Sequence, residues 1–165
     1  MSTLVVYFSR TGTTKRVAES IAKALGADIE AIHEPADRRG IRGYARSALD
    51  ASMSRWVPIA PLGHDPTRYD LVVVGSPVWV ASLSAPVRAF LARYAHRLPK
   101  LAFFVTMGGS GDRRVLRQMS QVAGAEPAAA LTLTQRDVEQ GKAAVAIDAF
   151  VASLAKTPAP IARLS

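Results

Sequence analysis

Three short stretches hold the residues whose types and spacing could do chemistry. The first, Ser9-Arg10-Thr11-Gly12-Thr13-Thr14, sets four hydroxyls around one glycine. It lies between an apolar run, residues 4–8, and an amphipathic segment carrying Val17, Ile21, Ala24 and Leu25. Hydroxyl residues form helices poorly but cap them well, so an over-provided N-cap is one reading. A phosphate site is the other: Gly12 lets backbone come close, and the amides that open a helix point outward at an anion. The second stretch is Gly75-Ser76-Pro77-Val78-Trp79-Val80-Ala81, where Trp79 is either core or a stacking surface for a flat ring. The third, Thr106-Met107-Gly108-Gly109-Ser110-Gly111, offers backbone donors to the polar edge of a heterocycle, although alone it is also a common turn. Neither dinucleotide fingerprint nor Walker A is present. The nearest approach, Gly109-Ser110-Gly111-Asp112-Arg113-Arg114, has arginine where the third glycine belongs.

The elements that must position these stretches follow from hydrophobic pattern. Short runs rich in Val, Leu, Ile and Phe predict strands at 3–8, 28–33, 70–75, 101–106 and 129–134. Helical patterns between them predict helices at 14–25, 41–53, 85–96, 112–123 and 140–155. Leu71-Val72-Val73-Val74 is apolar throughout, as in a parallel strand covered on both faces. Five alternating βα units predict an α/β fold, a doubly wound five-stranded parallel sheet with helices on both faces. With strand order 2-1-3-4-5 the three stretches meet beyond the carboxyl ends of the strands, at the switch point where such sheets bind ligands. A single domain is expected over 1–165, with a loose tail at 156–165. The long connection 34–69 carries Tyr44, Leu49, Met53 and Trp56 and is expected to lay an extra apolar wall on the sheet.

Bulk composition bounds the rest. Of 165 residues, 49% are apolar and 21% charged, as in ordinary globular proteins. The absence of cysteine removes disulfides, thiolate metal sites and cysteine nucleophiles. His33, His64 and His96 show no metal-ligand spacing. No apolar run approaches a membrane span, and residues 4–8 are too few for a secretory leader, so a cytoplasmic protein is expected. A net charge of +8 invites a nucleic-acid reading, but the cations are spread along the chain and no nucleic-acid motif accompanies them. A basic surface attracting anionic cofactors or acidic partners fits as well.

Together SRTGTT at a strand-to-helix turn, GSPVW after the third strand and the glycine-rich third stretch resemble the flavodoxin family, in particular its short bacterial members. The resemblance runs from Leu4 to about Leu154. It implies an FMN-binding flavoprotein. By that resemblance Ser9, Thr11, Gly12, Thr13 and Thr14 hold the phosphate, with Arg10 in the same loop. Pro77, Val78 and Trp79 flank the isoalloxazine, Gly108, Gly109 and Ser110 meet its pyrimidine edge, and Ser76 and Thr106 complete the expected set. No catalytic side chain and no metal ligand is expected, because the flavin supplies the redox chemistry.

The chain departs from the family in being basic where electron-shuttling flavodoxins are acidic, and in lacking an aromatic in the third stretch. Both departures favour an oxidoreductase, an NAD(P)H-dependent reductase of quinones or similar planar acceptors. The alternative is a non-enzymatic shuttle between redox partner proteins. A receiver domain is disfavoured because Gly75-Ser76 stands where its aspartate belongs, and a serine hydrolase because Gly108-Gly109-Ser110-Gly111 is not GxSxG. A flavin-free interaction domain would have no use for all three stretches.

Overall fold

A computed structural model describes residues 1–35 and 57–156. The predicted helix 41–53, the four apolar residues assigned to an extra wall and residues 157–165 of the predicted tail lie outside the described residues.

Five parallel strands form the sheet: β1 (Thr3–Tyr7), β2 (Asp28–Ala31), β3 (Leu71–Trp79), β5 (Leu101–Met107) and β6 (Ala130–Thr134), ordered β2-β1-β3-β5-β6. Counting parallel strands alone, this is the expected 2-1-3-4-5. A two-residue β4 (Ser82–Leu83) pairs antiparallel with the end of β3. The helices are α1 (Thr13–Leu25), α2 (Ala85–Tyr94), α3 (Asp112–Ala123), α4 (Gln135–Glu139) and α5 (Ala144–Lys156).

Alternate residues of the central strands serve opposite layers. Leu4, Val6, Val72, Val74, Phe103 and Val105 join Val87, Phe90 and Leu91 of α2 and Val115 and Met119 of α3. Val5, Tyr7, Val73, Ala102 and Phe104 join Val17 and Ile21 of α1 and Ile147, Phe150 and Leu154 of α5. Both layers are buried, which is why these strands read as unbroken apolar runs rather than alternating ones. Gly75 is part of the same packing. A Cβ there would lie 2.0 Å from the Phe104 ring, its neighbour in register on β5.

Several boundaries differ from the sequence reading, three of them near the site or the chain's end. β3 does not stop at residue 75 but continues to Trp79, pairing with β5 as far as Pro77 opposite Thr106. The predicted loop 75–81 is therefore mostly strand, folded back through Val80 and Ala81 into β4. The predicted helix 140–155 starts only at Ala144: residues 140–143 form a turn through Gly141, whose φ is +69°, and a separate short helix, α4, ends before it. Lys156, placed in the tail, closes α5.

The chain re-enters at Val57 and is tied to the edge strand β2. Glu30 accepts from the amides of Gly63 and His64 and from the His64 ring. Burial raises the Glu30 carboxyl, but these hydrogen bonds outweigh it and hold the group below the usual carboxylate range. Tyr69 donates to Asp28 at 2.6 Å, and that bond chiefly pushes its hydroxyl up to about 12.

Candidate functional site

The first stretch turns sharply between β1 and α1. Gly12 occupies the N-cap position with φ +96°, a left-handed conformation that favours glycine, and its amide donates to Ser9 Oγ at 3.1 Å. Ser9 thus closes the turn from inside. The amides of Thr13, Thr14 and Lys15 open the helix, and none has an acceptor among the described residues. Thr14 is buried, its hydroxyl 2.8 Å from that of Thr106 at the end of β5, which fixes the helix start against the sheet edge. The hydroxyls of Thr11 and Thr13 have no partner among the described residues.

Arg10 leaves the turn toward the second stretch. Its guanidinium lies 3.3 Å from Glu34 and 5.8 Å from the centre of the Trp79 ring. Glu34 offsets part of its charge. Trp79 is half-buried and meets Phe8 edge-on, with ring centres 5.6 Å apart. Its indole therefore has one edge in the core and lines the sheet edge with the rest. Ser76 behaves differently from the hydroxyls of the first turn. It is fully buried, donates to the Pro77 carbonyl at 2.9 Å and lies 3.0 Å from Ser84 Oγ, so it ties the hairpin to the start of α2.

These elements enclose a cavity of about 140 Å³. Arg10, Thr11, Thr13 and Thr14 line it from the first turn, Pro77, Val78 and Trp79 from the end of β3, and Thr106, Met107 and Gly108 from the end of β5. Of the residues expected at the site, Ser9, Gly12, Ser76, Gly109 and Ser110 are not in its wall. Ser9 and Gly12 shape the turn behind it, whereas Gly109 and Ser110 face solvent beyond it. Gly111, with φ +100°, packs the third stretch onto the hairpin: a Cβ there would lie 2.9 Å from Ala81 Cα.

Two lining residues escaped the sequence reading. Met107, expected in a turn, instead ends β5. Gln135 comes from a fourth strand end, at the first position of α4 after β6. The signal for it was present, because Thr134 and Asp137 form a hydroxyl–carboxylate cap that marks a helix beginning directly at a strand end. The Gln135 amide donates to Glu139 at 2.7 Å, which holds the side chain along its own helix.

A larger cavity, about 640 Å³, lies between the end of α3 and the start of β6, lined by Arg117, Gln121, Pro127 and Ala130 among others. It is at the opposite ends of the strands, away from the edge where open parallel sheets bind ligands. Among the described residues no group of His, Asp or Glu could hold a metal ion, and no helix is long and apolar enough to cross a membrane.

Comparison with known proteins agrees with this architecture. Solved structures superpose closely: a flavoprotein of Lactobacillus acidophilus in complex with FMN has a TM-score of 0.67 at 23% identity, over 84% of this chain and 97% of that one. The apo form of the flavoprotein from the same organism gives 0.59 at 22%, over 84% and 95%. Oxidised flavodoxin 1 of Bacillus cereus gives 0.55 at 16%, over 96% and 100%. At these identities the likeness is one of fold. No curated protein matches the chain. A family model described as flavodoxin matches residues 2–132, and the chain belongs to the flavodoxin family.

Proposed function

We propose that this protein binds FMN and transfers electrons through it. The observation that carries the reading is the division of the cavity wall. One side is a helix start whose amides, like the hydroxyls of Thr11 and Thr13, have no acceptor or partner among the described residues, together with the cation Arg10, a donor set that suits a phosphate. The other is the apolar rim of Pro77, Val78, Trp79 and Met107, which suits a flat ring. Gly12 and Gly108 have no protein atom within 4 Å of where a Cβ would stand, so backbone here is open to a ligand.

The cavity, about 140 Å³, is smaller than the roughly 300 Å³ or more that encloses a whole small-molecule ligand. It therefore fits the anionic end, and the ring's place is the open rim against Trp79. Bound FMN would supply one- or two-electron chemistry. The chain's own residues bind the phosphate, orient the ring and set the charge around it. A terminal, doubly charged phosphate is what the turn fits, so FMN is preferred over FAD.

Of the two flavin chemistries, electron exchange with protein partners is the better supported. Among the described residues Arg10 is the only ionisable side chain in the cavity wall, and none of those residues places a carboxylate or imidazole there to hand a proton to a reduced substrate. One observation favours the second reading, a reductase of quinones or similar planar acceptors using NAD(P)H. Val80, 77% exposed beside Trp79, leaves the rim open and apolar. The absorbance of the purified protein and the affinity of its apoprotein for FMN and FAD test the cofactor. Anaerobic titration with NADH and NADPH tests the chemistry: prompt bleaching of the flavin supports the reductase, and an unchanged spectrum supports the carrier.

A further inference from the structure

Charge is unevenly shared between the two helical layers. α2 and the turn after it carry Arg88, Arg93 and Arg97 and no acid, while α3 carries Arg113, Arg114 and Arg117 against Asp112 alone. On the opposite layer the acids Asp137, Glu139 and Asp148 balance Arg136, Lys142 and Lys156, and α1 carries Lys15, Arg16 and Lys23 against Glu19, so the excess of cations there is smaller than on α2 and α3. None of the six arginines forms an ion pair with a described residue.

Among the described residues, the acids close to this layer are occupied. Asp112 accepts from Thr132 Oγ1 at 3.2 Å. Asp65 accepts from Thr67 and pairs with Arg68; Arg97 also acts on its carboxyl, weakly. Glu126 lies beyond the end of α3 and accepts from Ser120. Arg93 and Arg97 crowd one tyrosine, with guanidinium carbons 5.4 and 5.3 Å from the centre of the Tyr94 ring. Two like charges on one ring repel each other unless an anion joins them. Arg88 has Nε and Nη2 buried without an acceptor among the described residues. These atoms are shielded from solvent, so Arg88 adds positive potential beneath the face without itself touching a partner.

We propose that the α2–α3 face is a docking surface for an acidic redox protein, which the arginines steer onto the edge of the flavin site. The inference rests on the reading of the cavity as an FMN site. Continuity with that site selects a redox protein over other polyanions. Arg113 and Arg114 open α3 directly after the third stretch, and at 1.5 Å per residue Arg117 stands only about 6 Å further along the helix. A specific interface covers about 800 Å² per partner, enough to reach from this end of α3 to Arg93 and Arg97 at the far end of α2. In the step itself one electron leaves the reduced flavin for the partner's oxidised centre, and no bond or proton changes hands.

The probes are ferric cytochrome b5, whose surface is acidic, and ferric cytochrome c, whose surface is basic. Each is mixed with the dithionite-reduced protein, and one electron converts ferric haem to ferrous. The cytochrome b5 rate should fall as ionic strength rises from about 20 to about 300 mM, while the cytochrome c rate rises or stays level. The Arg113→Glu/Arg114→Glu/Arg117→Glu variant should slow cytochrome b5 by roughly tenfold or more and remove its salt dependence. Arg93→Glu/Arg97→Glu should do the same more weakly, and Lys142→Glu/Lys156→Glu on the other layer should do nothing. Calorimetric binding of oxidised cytochrome b5 should follow the same order, with no turnover involved.

A cytochrome b5 rate indifferent to salt, or equally slowed by the lysine variant, overturns the proposal. So does a labelled DNA duplex that binds the same arginines as tightly as cytochrome b5 does, since the face is then a general polyanion site. Absence of flavin from the purified protein, visible before any partner is added, overturns the underlying cofactor reading instead.

Discussion

The turn at 9–14 and the hairpin at 75–83 sit side by side on one sheet edge, and both look in sequence like polar punctuation around a glycine. They use the same residue types for opposite ends. In the turn, Gly12 is left-handed with open space around it, and the hydroxyls of Thr11 and Thr13 have no partner among the described residues. In the hairpin, Gly75 is extended strand pressed against Phe104, and the hydroxyls of Ser76 and Ser84 are buried against each other. A hydroxyl or glycine is therefore a ligand-binding device only where burial leaves it nothing else to do.

The contrast is broken first at the glycines. Gly75→Ala forces a methyl into an aromatic ring, and overpacking of a dense core costs about 1–3 kcal/mol. The upper end is expected here, since the clash is 2.0 Å and the ring is fully buried. That lowers the melting temperature by roughly 6–12 °C. A variant as stable as wild type would mean that β3 and β5 are not in this register. Ser76→Ala comes next. It leaves Ser84 short of a partner in a dry site, a loss of about 1–2 kcal/mol in stability with FMN affinity unchanged. Weakened FMN with unchanged stability would place this hydroxyl at the cofactor and erase the distinction between the two regions.

Two smaller effects sharpen it. An aromatic contact is worth about 0.5–1.5 kcal/mol beyond burial, so Trp79→Ala should weaken FMN by about tenfold and relieve quenching of flavin fluorescence. Full affinity and full quenching in the variant would assign Trp79 to the core, where its edge already meets Phe8. Val80 and Ala81 turn the hairpin with φ of +50° and +53°, the sign pattern of primed hairpin turns, which asparagine and glycine adopt with ease and a β-branched residue does not. Val80→Asn should raise stability by about 0.5–1 kcal/mol in a thermal melt, because Val80 is exposed and little burial is lost. A fall in stability would mean that the valine side chain supports the turn.

The same residues explain what the sequence could and could not disclose. The parallel strands and the helical layers on both faces were legible because Val72, Val73, Val74 and their neighbours are buried on both faces, a condition that leaves an unbroken apolar run; the strand order came from the family resemblance. The turn at 9–14 was legible because its signals are local. The hairpin was not, since Val80-Ala81 carries none of the Asn-Gly or Asp-Gly chemistry that announces a two-residue turn. Nor could spacing tell that Ser76 finds Ser84 eight positions on, or that Gln135 reaches the cavity from a fourth strand end, because both depend on which strands become neighbours.

The central claim, that the open hydroxyls and amides of the first turn receive a phosphate, is met most directly by comparing FMN with riboflavin on the apoprotein of wild type and of Thr11→Ala/Thr13→Ala. A hydrogen bond to a charged group is worth about 1.5–3 kcal/mol, so losing two should weaken FMN by at least roughly a hundredfold. Riboflavin, which has the same ring and no phosphate, should bind the wild type far more weakly than FMN and scarcely notice the substitutions. Equal affinity of wild type for both ligands, or an equal loss of both in the variant, would show that the turn acts on the fold and not on the phosphate.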